Sequence, residues 1–569
     1  MKDVLVAWGN QNPEAPNRSY WDMGILDALV DRSLWRTPGG PRYVSVDGIP
    51  ADADGAVVII PGTQNPDPDV INAAIKHLRW VLLIITGDEE GLLPHERLSH
   101  PNITCWTSTP RPGRHVGWRG LGFGWPSGIR EALAKDCGAR IYDWFFSGQV
   151  THERRHQCAA VMRTMSGGQL HETLGFAQGV AQADYWRGLA SSKIAPCPGG
   201  PVTPDSFRLF EALEAGCIPI ADEASGRGQE PGYWQRIFGE KIPFPIINDW
   251  STSPDVTREL LANWPRNANK VFSFWQAHKR KLAYALDADV QLLSGIEQHR
   301  DQVSDLLTVL IPTSPIPSHP STDIIEETVE SIRAQDELRD CEILIMCDGV
   351  REEQTVMEWK YQEYVRQLLW LANTKWKNVL PIVFDEHSHQ GLMTRATLKD
   401  VRTPLMMFVE HDTPLIGQTD WRGIANAVLS GEANVVRFHH EASVLEPHKY
   451  LMLDEEPRMV AGVPLLRTVQ WSQRPHVAST EFYRWLINTH FGERSRTMIE
   501  DLVYGVLETH YREEGLAGWD KFRLWMYAPP GDIKRSTHTD GRGGEPKYAM
   551  DFQYDGDVPK WAPTPGRRE

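Results

Sequence analysis

The chain has 569 residues, 41% of them hydrophobic and 24% charged, which excludes a disordered polymer and leaves room for roughly four domain-sized units. A formal net charge of −16 excludes non-specific nucleic-acid binding, which rests on Lys and Arg neutralising phosphates, but leaves space for a small basic cleft. The seven cysteines are scattered and without CxxC spacing, so buried thiols are expected rather than disulfides or a zinc site. The start MKDVLVAWGN has no leader-like pattern, and no apolar run reaches about eighteen residues. A cytoplasmic protein without a membrane partner is the expectation.

In chain order, short apolar runs come first: VLVAW (4–8), AVVII (56–60), WVLLIIT (80–86), DWFFSG (143–148), KIAPCPG (193–199) and CIPIAD (217–222). Amphipathic stretches such as DVINAAIKHLRW and THERRHQCAAVMRTM lie between them. Continuous apolar strands alternating with helices predict parallel sheets covered on both faces. Two such units fit the first half, residues 1–140 and 141–300, as a two-lobed α/β body closed by a helix near 270–300. A fresh strand opens at DLLTVLIPTSP (305–315). The rhythm continues through DIIEETVESIRAQ, with Ile325, Val329 and Ile332 on one face, then CEILIMCDG (341–349) and TPLMMFVEHD (403–412). Residues 301–569 form this last α/β region, with an irregular Gly/Pro/Asp-rich tail from about 540.

The stretch PVTPDSFRLFEALEAGCIPI (201–220) puts Ser206 and Arg208 at a helix start, where free N–H groups and the helix dipole favour an anion. A guanidinium fork there suits a diphosphate, and Glu211, one turn on, suits a ribose diol. From these residues alone, a capped helix with an exposed Arg208–Glu211 pair is an equal alternative. SFRLFEALEAGCIPI resembles the nucleotide-sugar signature of exostosin-type glycosyltransferases, and the likeness extends over DWFFSGQVTHERRHQCAAVMRTM, LASSKIAPCPGG and IPFPIINDWS. It implies a two-lobed GT-B fold for the first half, with the donor's nucleotide diphosphate against Ser206, Arg208 and Glu211. Arg154 or Arg155 would add charge, and Asp88 is the candidate base.

In the second half, Asp348 follows a buried strand, where a base or ribose could be held; an Asp-Gly turn is at least as common. LMMFVEHDTPL puts Glu410 and Asp412 at a strand exit, one residue apart, so that both point the same way along an extended chain. They could share one hard divalent cation with a nucleotide diphosphate, or be two solvated acids closing an edge strand. An adjacent His411–Asp412 pair of a phosphohydrolase, with His439, His440 and His448 completing a metal cluster, fits no familiar spacing. The segment HQGLMTRATLKDVRTPLMMFVEHDTPL resembles GT-A glycosyltransferases of the large inverting family, although Glu410 stands where an aspartate is usual. The resemblance implies Glu410 and Asp412 at the metal motif, His538 as a third ligand and Arg395 lining the donor. Glu500 and Asp501 would be the acidic pair supplying a general base, with Asp501 preferred.

Together these resemblances imply a bifunctional glycosyltransferase, a GT-B half joined to a GT-A half dependent on Mn2+ or Mg2+. Its co-substrates would be UDP-, GDP- or dTDP-linked sugars, and its acceptor the hydroxyl of a glycan, protein or modified nucleobase. The alternative is a carbohydrate-binding or scaffold protein with one or both halves inactive.

Overall fold

The structure is a computed structural model. It describes residues 5–8, 42–61, 67–126, 128–133, 137–175, 179–295, 302–439, 444, 446–531 and 534–539; the tail expected from 540 and Val4 of the first expected strand lie outside them. The chain divides into two compact units, residues 1–299 with 373–375, and 300–372 with 376–569. It is mixed α/β, with parallel sheets in both units.

In the first unit, strands β1 (Leu5–Trp8), β2 (Arg42–Ser45), β3 (Gly55–Pro61), β4 (Trp80–Thr86), β5 (Ile103–Thr107) and β6 (Arg119–Gly120) form one parallel sheet, ordered β2-β1-β3-β4-β5-β6. All seven residues of β4 are buried, as a strand covered on both faces requires. One face packs Ala56, Val58, Ile60, Val81, Leu83 and Ile85 against Ile71 and Ile75 of the helix Pro68–Ile75. A second parallel sheet takes β7 (Tyr142–Gln149), β8 (Gly168–Thr173), β9 (Ser192–Cys197) and β10 (Ile218–Asp222). After the small hairpin β11 (Ala224–Ser225) and β12 (Gly228–Gln229), β13 (Ile246–Ile247) completes the order β13-β10-β9-β7-β8.

The helix Trp264–Ser294 joins the two sheets. It packs on β4 and β5 of the first, and on β10 and the helix Phe207–Glu214 of the second. Near one end Trp106 Nε1 donates to Asp289 at 2.8 Å. Nearer the other, Trp275 Nε1 donates to Glu214 at 2.7 Å, Lys279 pairs with the same carboxylate, and Arg130 Nε lies 3.1 Å from it. Glu214 and Lys279 are both fully buried. Burial alone would raise the Glu214 pKa, but Lys279 and Arg130 overcome it and hold the carboxyl down to about 2.

The second unit carries β14 (Leu307–Thr313), β15 (Glu342–Cys347), β16 (Val379–Val383), β17 (Leu405–Phe408), β18 (Val435–Arg437), β19 (Arg458–Val460), β20 (Val463–Arg467), β21 (His476–Ser479) and β22 (Leu524–Tyr527). They form one sheet in the order β16-β15-β14-β17-β21-β18-β22-β20-β19. The first four are parallel, joined through helices Asp323–Arg333, Glu358–Thr374 and His389–Thr397. Ile325, Val329 and Ile332 are buried on the first of these, as their spacing predicts. Pro381 is tolerated because β16 is an edge strand and a missing N–H there breaks no ladder on its outer side. The chain runs from β14 outward to β15 and β16, then returns to β14's other side as β17. The crevice beyond the carboxyl ends of β14 and β17 is therefore a topological switch point, where open α/β sheets hold ligands.

Removing Lys279 takes from Glu214 its fully buried cation and leaves it Arg130 and Trp275, and breaking a buried pair typically costs about 3–5 kcal/mol. Lys279→Met should lower the stability of the first unit by about that amount, read from denaturant unfolding. Because the folded Glu214 pKa lies below its ordinary 4.5, its contribution is fully present above that pH. It should be lost as pH falls toward about 2, and the variant's stability should be flatter across that window.

Candidate functional site

The first unit brings two guanidiniums to the carboxyl end of β7. Ser206 is the N-cap of the helix Phe207–Glu214, and its hydroxyl makes no capping bond. On that helix's first turn, Arg208 lies with its guanidinium carbon 4.5 Å from the Phe146 ring centroid, and Nη2 donates to the Ser147 carbonyl at 3.0 Å. Its Nε and Nη1 are buried without a partner. A Cβ on Gly148 would come within 2.0 Å of Nη2, so only glycine lets the guanidinium reach this position. Arg155 is buried alongside, with Nε 3.4 Å from the Gly199 carbonyl and Nη1 3.3 Å from that of Gln149. Burial and the neighbouring Arg208 depress its pKa to about 10. Two close guanidiniums with carbonyl partners and unfilled donors are arranged for an anion that presents several oxygens.

Three expected members of this site have other work. Arg154 donates twice to Asp222, through Nε at 3.1 Å and Nη2 at 2.5 Å. That carboxylate also accepts from Gly199 N, Ala224 N and Trp250 Nε1. Glu211 is buried and accepts from Tyr185 OH at 3.0 Å and Trp186 Nε1 at 3.1 Å, so its oxygens are taken up inside the fold rather than offered to a ribose. Asp88 caps the Leu92 and Leu93 amides and lies 2.8 Å from His95 Nε2. The sequence carries the signal separating the arginines, because Arg155, Cys158, Ala159 and Met162 are the buried residues of helix Glu153–Met162 and share one face at helical spacing.

In the second unit Glu410, Asp412 and His538 converge, with one potential ligand atom from each lying within 4.8 Å of the others. The acids do not meet along an extended chain. Residues 410–413 form a turn in which the Glu410 carbonyl accepts from Thr413 N at 3.1 Å and Thr413 Oγ1 at 3.0 Å. His538 arrives because residues 535–539 run back beside this turn, with Ile416 N on the Arg535 carbonyl, a Leu415–Ser536 bridge and Thr539 N on the Asp412 carbonyl at 2.7 Å. Its Nε2 then stands 3.4 Å from Asp412 Oδ2. Burial, with Asp412 and Glu500 adding repulsion, raises the Glu410 pKa to about 8. The only hydrogen bond to its carboxylate among the described residues comes from Gln390 Nε2, a long one at 3.4 Å. Two carboxylates, an imidazole and excess negative charge fit a hard or borderline divalent ion such as Mn2+.

Glu500, not Asp501, belongs to this cluster. Both begin the helix Ile499–Glu514, but Asp501 is exposed, whereas Glu500 bears on Glu410 and accepts from Gln473 N at 2.8 Å. Glu500 shares a helix face with buried Val503 and Leu507, a phase visible in the sequence. Gln390 was not anticipated. It links the groups by donating to Glu410 and accepting from Ile499 N at 3.0 Å, and nothing in its local sequence marks it.

Asp348 and Arg395 also differ from expectation. Asp348 is buried and accepts from the amides of Gly349, Ser388 and His389, with His387 Nδ1 at 2.9 Å, so it fastens the 386–389 loop. Arg395 donates to the carbonyls of Ile487, Phe491 and Gly492 and closes the end of helix Thr480–His490. His411 is not part of the metal-capable group. His439 lies 2.9 Å from Arg474 Nη1, and His440 is outside the described residues.

No family model matches the chain, and no curated protein matches it. Solved structures similar to it include S. aureus TarS 1–349 in complex with UDP-GlcNAc, at 15% identity over 42% of this chain and 60% of that one, with a TM-score of 0.27. UDP-glucose pyrophosphorylase complexed with UDP-glucose is 12% identical over 40% of this chain and 92% of its own, at 0.25. The mannosyltransferase PcManGT from Pyrobaculum calidifontis, in complex with GDP-Man and Mn2+, is 14% identical over 44% and 64%, at 0.24. The chain thus spans less than two thirds of the length of TarS 1–349 or of PcManGT. No helix among the described residues is long and apolar enough to cross a membrane.

If Arg395 closes a helix rather than touching a ligand, Arg395→Met should destabilise the second unit by about 1–3 kcal/mol, the cost of leaving buried carbonyls unpaired. Thermal unfolding reads that loss. Nucleotide affinity measured below the transition should be unchanged.

Proposed function

We propose that the chain is a bifunctional, nucleotide-sugar-dependent glycosyltransferase, with a GT-B-like first unit (lobes 1–140 and 141–300) and a GT-A-like, inverting second unit (301–569). The observation that carries this reading is the convergence of Glu410, Asp412 and His538 at the exit of β17, beside the switch point of a parallel sheet. A divalent cation held there supplies positive charge to a departing nucleotide diphosphate. The chain's own part is to fix the three ligand groups through the 410–413 turn and the returning 535–539 segment. Glu500, on the same side, is the group that takes the acceptor hydroxyl's proton, a role that requires only hydrogen-bond reach and an ionised carboxylate.

In the first unit, Arg208 and Arg155 perform the corresponding task without metal. Their free donors face the place where negative charge grows as the sugar–phosphate bond breaks, and stabilising such charge is usually the largest catalytic contribution. Donors are UDP-, GDP- or dTDP-linked sugars, and the acceptor is a hydroxyl of a glycan, protein or modified nucleobase.

The two units separate by metal dependence. Asp412→Asn should abolish Mn2+-stimulated release of nucleoside diphosphate from sugar donors and leave the circular dichroism spectrum unchanged. Gln390→Ala should weaken Mn2+ binding about 10–100-fold, as loss of a group orienting a ligand does. Arg208→Ala should weaken nucleoside diphosphate binding in the presence of a chelator by roughly 10–100-fold, the equivalent of one charged hydrogen-bonding partner. Calorimetry with UDP, GDP and dTDP decides; wild-type metal response in Asp412→Asn, or wild-type affinity in Arg208→Ala, removes the reading for that unit.

A further inference from the structure

Glu89 follows β4 immediately after Asp88, on the opposite sheet of the first unit from the two arginines. Its neighbour is spent on capping amides and on His95, but Glu89 is not. Its Oε1 is buried without a hydrogen-bond partner, and the Val202 amide donates to the carboxyl. The loop that meets it is Gly199-Gly200. Arg155 Nε reaches the Gly199 carbonyl at 3.4 Å, while a Cβ on Gly200 would stand 2.9 Å from Glu89 Oε1. The carboxyl and the buried guanidinium therefore border one dipeptide. A Cβ on Gly200 would also stand 2.7 Å from the Asp205 carbonyl and 3.0 Å from that of Thr203, so only glycine lets the loop lie this close to the Glu89 carboxyl.

We propose that Glu89 is the general base of the first unit, accepting the proton of the acceptor hydroxyl. This rests on the reading of Arg155 and Arg208 as the diphosphate seat. The acceptor O–H bond breaks toward Glu89, and its oxygen forms the bond to the sugar's anomeric carbon. The anomeric carbon–phosphate oxygen bond breaks in turn, and the nucleoside diphosphate leaves with that electron pair toward the two guanidiniums. Water in place of the acceptor gives hydrolysis by the same proton path. Burial raises the Glu89 pKa and Glu90 beside it adds to the rise, while the Val202 amide, Arg155 and Arg111 oppose it. A carboxylate raised in this way is a stronger proton acceptor than an ordinary one.

A rival role, in which Glu89 merely neutralises Arg155, allows the same rise in nucleoside diphosphate affinity but predicts no loss of rate. The full-length protein is assayed with EDTA, which silences the metal-dependent unit. Nucleoside diphosphate release is followed from UDP-, GDP- and dTDP-linked sugars, and calorimetry gives UDP, GDP and dTDP affinity. Glu89→Gln is expected to lower release about 100- to 10,000-fold with nucleoside diphosphate affinity unchanged or higher. It should also erase the acid limb of the pH–rate profile, and Glu89→Asp should retain part of the rate. Wild-type release in Glu89→Gln, or tighter binding with no loss of rate, overturns the proposal and leaves a counter-ion. If Arg208→Ala fails to weaken nucleoside diphosphate binding, or the native protein releases none from any donor with EDTA present, the diphosphate seat itself fails and Glu89's role goes with it.

Discussion

Charge held out of water without a partner is the constraint on which both units are built. Arg155 and Arg208 in the first, and Glu410 beside Asp412 and Glu500 in the second, are like charges brought together where the surroundings do little to screen them. Such clusters oppose folding, so the structure around them has to be rigid enough to bear the repulsion. Parallel sheets supply that rigidity because both faces are covered, and their strand ends point the following loops at one place. The fully buried β4 and the four parallel strands of the second sheet are in this sense the support for the loops after them.

Rigidity also shows in how other charges are treated. Asp222, Glu214 and Asp348 are buried carboxylates too, but each is met by several donors: Arg154 and three N–H groups, Lys279 with Arg130 and Trp275, or a row of loop amides. The contrast sorts structural from candidate functional groups. A buried ionisable side chain with its hydrogen-bonding capacity filled belongs to the scaffold. One with capacity left over is a site hypothesis with a physical basis.

The sequence made the strands legible because apolar runs buried on both faces cannot be anything but interior, and WVLLIIT, CEILIMCDG and LMMF all became central strands. It also named residues that the fold brings together, Arg155 with Arg208 and Glu410 with Asp412 and His538. What it left open was which of two adjacent residues faces inward. Arg154 and Arg155, and Glu500 and Asp501, are each separated by about 100° around a helix, so one member turns to the cluster and the other away. That phase was present in Cys158, Ala159 and Met162, and in Val503 and Leu507. Asp88 and Glu89 lie in a loop, where no periodicity decides, and the partition between a capping carboxylate and one with an unpaired buried oxygen emerges only from tertiary contacts. Gln390 was invisible for the same reason, since its partners are 20 and 109 residues away.

The returning segment that brings His538 to Asp412 has a consequence for biosynthesis. The turn bearing the two acids leaves the ribosome long before the imidazole does, and the pairing of residues 412–416 with 535–539 draws the late residue back. Any cation held through all three groups must wait until that strip has docked. A nascent or truncated chain ending short of it would carry the two acids without the imidazole, so that a cation needing all three groups would find them together only after elongation.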